Sequence, residues 1–261
     1  MLVYNEMLHI LVSLKKEIDS FLPALEGLHR AREGACILHA GSVSGKPVVV
    51  IKTGIGKNVL APGILRQCSF MVSTGFCGAL AAGLKTGDIV LSDKVAFAPE
   101  TAGEEIGLHA GICTQIEREP PGTAQVEQSG ITLTDRNLTL SEAAEKLIRK
   151  AGIPILRGPT ITVSRIVRSP EEKKRLALSS GSLSLEMEDY FRLELACQLG
   201  IPFISVRAVL DELDEWVPRF RSGLRSPARA AAFLKKANAC SRRIAEVLLL
   251  LVQNPETLAT T

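Results

Sequence analysis

Short apolar runs of strand character alternate with helical segments along almost the whole chain, and that alternation limits its fold more than any other feature. The runs at 8–13, 35–40, 47–53, 70–74, 88–97, 158–167 and 203–209 read as strands. The most apolar, Val48-Val49-Val50-Ile51, lacks the polar alternation of a half-exposed strand and predicts burial on both faces. Helices are predicted over 15–28, where Pro23 disturbs or ends the pattern, over 60–68, and over 141–151 with Ser141 as N-cap. Two more begin at Ser169-Pro170-Glu171-Glu172 and run over 188–199. A closing helix covers 228–252, where Phe233, Leu234, Ala237, Ile244, Leu248 and Leu251 recur on one face. The stretch 98–135 has weak periodicity and reads as an extended loop covering a site. The expected fold class is α/β: a single domain over 1–261 with a central mixed, largely parallel twisted sheet flanked by helices. Within it, 216–252 forms a basic C-terminal loop and the closing helix.

With 261 residues, 46% of them hydrophobic, the chain can bury a sizeable core. Its net charge of +3 gives no case for nucleic acid. The six cysteines form no C-x-x-C pair, and the four histidines lack metal-ligand spacing, so core thiols in a reducing compartment and no metal are expected. The apolar run at 7–14 has Glu6 before it and no basic flank, and reads as a strand rather than a signal peptide. The late run at 247–252 is far below the roughly 20 residues needed to span a bilayer. A cytoplasmic protein is expected.

Two glycine-bearing segments follow predicted strands. In Thr53-Gly54-Ile55-Gly56-Lys57, glycines would let backbone N–H groups approach a ligand, although the spacing fits neither a Walker loop nor G-x-G-x-x-G. The second, Ser73-Thr74-Gly75-Phe76-Cys77-Gly78-Ala79-Leu80, lies where open α/β sheets bind ligands, at a strand's C-terminal end. Either could also be a plain tight turn.

Three carboxylates stand near such positions. Glu17, just past the first strand, is either a helix-start charge or part of a site. In Leu185-Glu186-Met187-Glu188-Asp189, Glu186 and Asp189 read as helix N-terminal charges, leaving Glu188 to accept hydrogen bonds from sugar hydroxyls. Asp211 closes the strand containing Arg207. Partial desolvation there would raise its pKa and suit it to act as an acid; a helix cap or a partner for Arg207 are the plainer readings.

Taken together, these segments resemble the purine nucleoside phosphorylase / methylthioadenosine–adenosylhomocysteine nucleosidase superfamily. The resemblance is carried by Thr53-Gly54-Ile55-Gly56-Lys57, Thr74-Gly75-Phe76-Cys77-Gly78, Thr86-Gly87-Asp88-Ile89, Glu186-Met187-Glu188 and the stretch from Pro202 to Asp211. It implies cleavage of an N-glycosidic bond. Glu17 matches the base that orients and deprotonates water, Asp211 the acid serving purine N7, and Arg207 an arginine beside the water and the ribose carboxylate. Met187 and Glu188 match ribose-holding residues, and Gly75, Phe76, Cys77, Gly78 and Ser164 match substrate-lining positions. Such a reaction passes through a ribosyl cation-like state, in which a positioned acid contributes roughly 10²–10⁴-fold and a fixed carboxylate stabilises the cation.

No cofactor is implied, but inorganic phosphate would be co-substrate of a phosphorylase, with Thr53, Gly54, Gly56 and Lys57 as the phosphate or water loop. The chain carries Lys15-Lys16-Glu17 where many phosphorylases of this family have an arginine for phosphate, which tilts the reading toward hydrolysis. Phe76 and Cys77 replace residues that are often small in nucleosidases. The stretch Ser164-Arg165-Ile166-Val167-Arg168-Ser169 also departs from the family pattern; with Glu172-Lys173-Lys174-Arg175-Leu176 it is most similar to the hopanoid-biosynthesis branch. That branch is associated with removing adenine from adenosylhopane, a nucleoside with a polycyclic lipid at C5′.

Between Trp216 and Arg243 the chain has eight Lys or Arg and no Asp or Glu. With Trp216, Val217, Phe220 and Leu224 interleaved, 216–243 fits a peripheral contact with the inner membrane face, a solvated helix face or a dimer contact. A small-molecule nucleoside, lipid-tailed on the hopanoid reading, is the expected partner. Nucleic acid is not, and a homo-oligomer, favouring a dimer, follows from the family. Futalosine or methylthioadenosine hydrolysis, phosphorolysis, and nucleoside binding without catalysis are the alternatives.

Overall fold

The computed structural model describes residues 7–57, 60, 62–65, 67–98, 130–218 and 227–255. In chain order its strands are β1 (Met7–Val12), β2 (Glu26–Glu33), β3 (Cys36–Val43), β4 (Lys46–Lys52), β5 (Cys68–Ala79), β6 (Ile89–Ala98), β7 (Gly130–Thr132), β8 (Ile155–Val163), β9 (Ser184–Glu186) and β10 (Phe203–Asp211). The helices are α1 (Lys15–Ile18), α2 (Asp135–Lys150), α3 (Pro170–Ser180), α4 (Asp189–Leu199) and α5 (Pro227–Gln253), with 3₁₀ turns at Leu22–Ala24 and Pro62–Leu65.

All strands among the described residues belong to one mixed sheet, running β10-β6-β8-β9-β5-β1-β4-β3-β2 with β7 on β6. An additional β5–β10 ladder closes β5, β10, β6, β8 and β9 into a ring, from which β1, β4, β3 and β2 extend. Parallel pairing is confined to β4–β1–β5–β10 and to β6–β8–β9. The sheet is mixed as expected, and its longest ladders, β6–β8 and β5–β10, are parallel; the short connections β2–β3 and β3–β4 make antiparallel hairpins. Ser44 and Gly45 both take positive φ (50° and 76°) in the two-residue turn joining β3 to β4.

The alternation in the sequence locates most elements, and the differences have physical causes. The helix expected over 15–28 stops after one turn, and from Glu26 the chain is an edge strand whose eight residues are all exposed. With neither face buried, Glu-Gly-Leu-His-Arg-Ala-Arg-Glu has no period-2 hydrophobic signal to display. The helix expected over 60–68 is only the turn Pro62–Leu65, since Cys68 already pairs with Met7 in the β5–β1 ladder. The helix α2 starts at Asp135 rather than 141: Thr134 caps it, accepting from the Asn137 amide at 3.3 Å, while Ser141 lies in its buried interior. Residues 130–132 of the expected loop pair with β6; 99–129 lie outside the described residues. On α5, Ala237, Ile244, Leu248 and Leu251 are buried as expected, but Leu234 faces outward. Cys240 and Val247 complete the face that packs on β10 and α1. Each fully buried aliphatic side chain there contributes about 1.5–3 kcal/mol.

Of the basic stretch, 219–226 lie outside the described residues. Trp216 is 67% exposed, while Val217 and Pro218 are tied through their backbone to Arg168. Among the described residues no helix is long and apolar enough to cross a membrane.

Candidate active site

The site forms where β5 changes neighbours. On one side β5 pairs with β10 continuously from Met71 to Gly78. On the other it pairs with β1 only as far as Ser73, and with β9 only from Gly78. The stretch 74–77 between them has no strand on that side, so its backbone donors need other partners. Glu17 supplies one, its Oε1 accepting from the Phe76 amide at 3.1 Å. Its Oε2 accepts from the Ser13 and Leu14 amides at 3.0 and 2.7 Å, so three backbone N–H groups fix this buried carboxylate. Burial pushes its pKa up, with Arg207 and the amide bonds opposing.

The glycine segment expected as a loop at 73–80 is strand as far as Ala79. Its glycines serve close approach rather than turning. A Cβ on Gly75 would lie 2.7 Å from Glu17 Oε1 and 2.8 Å from Arg207 Nη1. A Cβ on Gly78 would lie 2.9 Å from Asp211 Oδ2. Glu17 and Arg207 thus meet at Gly75, and Asp211 lies against Gly78, three residues or about 10 Å further along β5.

Arg207 is wholly buried at the centre. Nε donates to Asp189 Oδ2 at 3.0 Å, and Nη2 donates to Asp189 Oδ1, to Glu186 Oε2 at 3.0 Å and to Ser73 Oγ at 3.3 Å. Nη1 reaches Glu188 Oε2 at 3.5 Å. Burial alone would lower the guanidinium's pKa, but Asp189 and Glu186 raise it well above the usual value. Burial likewise raises Asp189, yet Arg207 outweighs it and holds the carboxyl below the ordinary range. Glu186 goes the other way, raised by burial and by Asp189. The pattern is a tight Arg207–Asp189 pair with a less ionised carboxyl beside it.

Glu186 and Asp189, read from sequence as helix-start charges, are therefore the supports of the site. The helix reading holds in part, since Glu186 Oε2 also accepts from the Glu188 and Asp189 amides at 2.6 and 2.7 Å and caps α4. Glu188, the N-cap of α4, projects the other way, its Oε1 accepting from the Gly56 amide at 3.0 Å. The Thr53–Lys57 loop thus offers Gly56 to a carboxylate. Gly54 and Gly56 both take positive φ (88° and 80°). Thr53 Oγ1 faces inward, its single proton shared between the Val12 and Gly54 carbonyls at 3.2 and 3.0 Å, and it accepts from Arg192 at 3.0 Å. Lys57 lies with Nζ 5.5 Å from the centre of the Phe191 ring.

Arg192 is the main residue that sequence reasoning missed here. It is buried, and its four bonds go to Ser13, Thr53 and Ser73 hydroxyls and the Leu11 carbonyl, at 2.8–3.3 Å. Burial and neighbouring Arg207 lower its pKa. An arginine inside 188–199 has no sequence signal of burial, because a helix of mixed polarity does not reveal which face meets the sheet.

Asp211 ends β10, just after a register shift against β5. Its carboxyl does not pair with Arg207; its Oδ2 meets the ammonium of Lys173, from α3. Burial raises its pKa and Lys173 opposes. Among the remaining predicted residues, Met187 is half-buried against Leu185 and its cluster, and Phe76 is half-buried. Ser164 is exposed just past β8. The thiol of Cys77 is sealed among Ala79, Leu84, Val90 and Val209, so its side chain is core rather than a substrate contact. Beside Glu188 stands an aromatic trio, Phe97 with Tyr190 and Phe191, ring centres 5.2 Å apart in both pairs.

A family model described as the phosphorylase superfamily matches residues 8–253. The chain belongs to this superfamily. Its fold recurs in solved nucleosidases of low sequence identity. The 5′-methylthioadenosine/S-adenosyl homocysteine nucleosidase of Helicobacter pylori is similar with a TM-score of 0.70 at 18% identity, covering 96% of this chain and 99% of that one. The Neisseria meningitidis nucleosidase of the same name, in complex with methylthio-immucillin-A, gives 0.69 at 24%, with 93% and 98% covered. Futalosine hydrolase of Helicobacter pylori gives 0.70 at 18%, with 96% and 98% covered. Superfamily membership makes the chain an enzyme of the nucleosidase or phosphorylase kind.

Proposed function

We propose that this enzyme cleaves the N-glycosidic bond of a 5′-modified adenosine and releases adenine. The observation that carries the reading is the gathering of Glu17, from α1, Glu188, from the start of α4, and Arg207 and Asp211, both from β10, around residues 75–78 of β5. In this reading Glu17, fixed by three amides, orients a water and takes its proton. Glu188 holds ribose hydroxyls and, with Glu17, lends negative charge to the developing ribosyl cation. Asp211 donates a proton to N7, so the base leaves neutral. Arg207 keeps Glu188 and Glu17 in place. The structural relatives named above, two adenosine-type nucleosidases and a futalosine hydrolase, are consistent with this chemistry.

Within that class we favour adenosylhopane. The Phe97, Tyr190 and Phe191 rings beside Glu188 would suit an apolar 5′ substituent, and exposed Trp216 would suit collection of a lipid-tailed substrate at a membrane face. A homodimer and peripheral membrane contact through 216–243 belong to the same proposal. Hydrolysis is preferred over phosphorolysis because the Gly56 amide and the Thr53 hydroxyl are already bonded within the protein. One observation favours the second route: Arg192 is ringed by hydroxyls rather than carboxylates, a setting that would tolerate phosphate.

The test is adenine release from adenosines with 5′ tails from methylthio to long alkyl, with and without phosphate. Asp211→Asn should abolish release while the fold survives; full activity would remove Asp211 as the acid. Rates that fall as the tail lengthens would exclude the lipid substrate, and an absolute need for phosphate would exclude hydrolysis.

A further inference from the structure

We propose that Lys173 is a positioning residue for Asp211, its ammonium stabilising the carboxylate that remains once Asp211 has given its proton to the departing base. The inference rests on Asp211 being the acid. On α3 the inward-facing positions are Pro170, Lys173 and Leu176, so a lysine occupies a place where the helix otherwise buries apolar groups. Its side chain is 0% exposed. Nζ donates to the Glu212 carbonyl at 2.7 Å and the Glu215 carbonyl at 3.1 Å, and its remaining contact is Asp211 Oδ2. Burying an ammonium is unfavourable unless it is paired, and a methionine would fill the same space without that penalty. The two carbonyls hold Lys173 still, and Asp211 supplies its counter-charge.

The other groups facing Asp211 do not substitute for it. Glu215, following β10, pairs with Lys236 of α5, whose Nζ lies 2.6 Å from Glu215 Oε2. Cys77 of β5 and Cys240 of α5 are thiols that burial pushes up, Cys240 to about 11. Burial raises the Asp211 carboxyl and Lys173 opposes.

The proton balance is simple. The Asp211 O–H bond breaks with its electron pair left on the carboxylate, an N7–H bond forms, and the C1′–N9 pair passes to the base, while the water held by Glu17 forms the C1′–O bond and gives its proton to Glu17. Lys173 keeps all three protons. In the resting pair the Asp211 carboxylate is its counter-charge; Asp211 is neutral only once it has taken up the proton it will transfer and is an anion again after the transfer, so the attraction grows along the proton-transfer step, which is the condition for accelerating it.

The test compares two leaving groups on the full chain: adenine from a 5′-alkylthioadenosine, which needs a proton, and nitrophenolate from a nitrophenyl riboside, which does not. For Lys173→Met, kcat for adenine release should fall by about 30–100-fold relative to the aryl riboside, less than the roughly 10²–10⁴-fold of general acid catalysis as a whole because Asp211 itself remains. KM should change little, and the alkaline limb of the adenine profile should move to higher pH. Lys173→Arg, which keeps the cation, should recover most of the ratio. If Lys173→Met does not fold, Lys173→Ala assayed with added ethylammonium replaces it, with rescue of the adenine reaction alone as the expected result. Equal losses for both leaving groups, or an unmoved alkaline limb, would overturn the inference. No release of base by the unaltered enzyme would instead sink the proposed function.

Discussion

Gly75→Ala perturbs the site through one atom. The new Cβ would sit 2.7 Å from Glu17 Oε1 and 2.8 Å from Arg207 Nη1, where ordinary contact needs at least 3.4 Å, so one or both must retreat by more than half an ångström. Neither is a free side-chain end. Glu17 accepts from three amides, and Arg207 is locked to Asp189 and Glu186. Retreat by that amount stretches the 3.1 Å Phe76–Glu17 bond beyond hydrogen-bond range. Losing a bond to a charged group costs about 1.5–3 kcal/mol, and alanine at φ 151° adds roughly 1–3 kcal/mol of backbone strain. The expected total is about 2.5–6 kcal/mol, or about 5–24 °C in Tm for a chain of this size. Displacement of the base should lower kcat/KM by roughly 10–100-fold even where the variant is folded. Calorimetry and adenine-release kinetics measure the two effects, with Gly83→Ala as control. Gly83 also has positive φ (92°), but a Cβ there meets nothing within 4 Å, so it should lose stability and keep activity. Equal behaviour of the two variants would show that backbone strain, and not the Glu17–Arg207 contact, decides the outcome.

Asp189→Ala removes the main partner of a wholly buried guanidinium and should destabilise the fold by about 3–5 kcal/mol, read as a lower urea midpoint; a change under 1 kcal/mol would mean that Glu186 suffices for Arg207. Because burial raises the Glu17 pKa and the proposed base must be ionised, kcat/KM should fall with acid through a pKa above 4.5; a limb at or below 4.5 contradicts that assignment. Burial pushes Cys68 to about 12 and Cys240 to about 11 and raises Cys77, so these thiols should resist iodoacetamide at pH 8 until the protein unfolds. Rapid alkylation of the folded enzyme would refute that burial.

Local chemistry makes the sheet-forming runs legible. Val48 to Ile51 and Phe203 to Val209 are apolar enough that only a buried strand accommodates them, and Ser169-Pro170 and Gly200 mark helix ends through their own backbone preferences. Glu17, Glu188 and Asp211 stand out as candidates in the sequence because each lies beside such a junction within an ordered set of motifs. The exposed edge strand β2 was not legible, since a strand with no buried face writes no pattern.

Glu186 and Asp189 looked like helix caps because sequence shows only the neighbours along the chain. What makes them supports is Arg207, some twenty residues away, brought alongside by the crossing of β9 and β10 onto β5. Arg192 and Lys173 were hidden for the same reason: whether a helix residue faces solvent or a sheet depends on how that helix docks. Which segments become strands and helices, and which carboxylates stand at their ends, follows from local hydrophobic period and backbone preference. Which charges lose their water, and which cation each carboxylate meets, depends on how the elements pack, because desolvation and pairing are properties of surfaces that do not exist until the chain has folded.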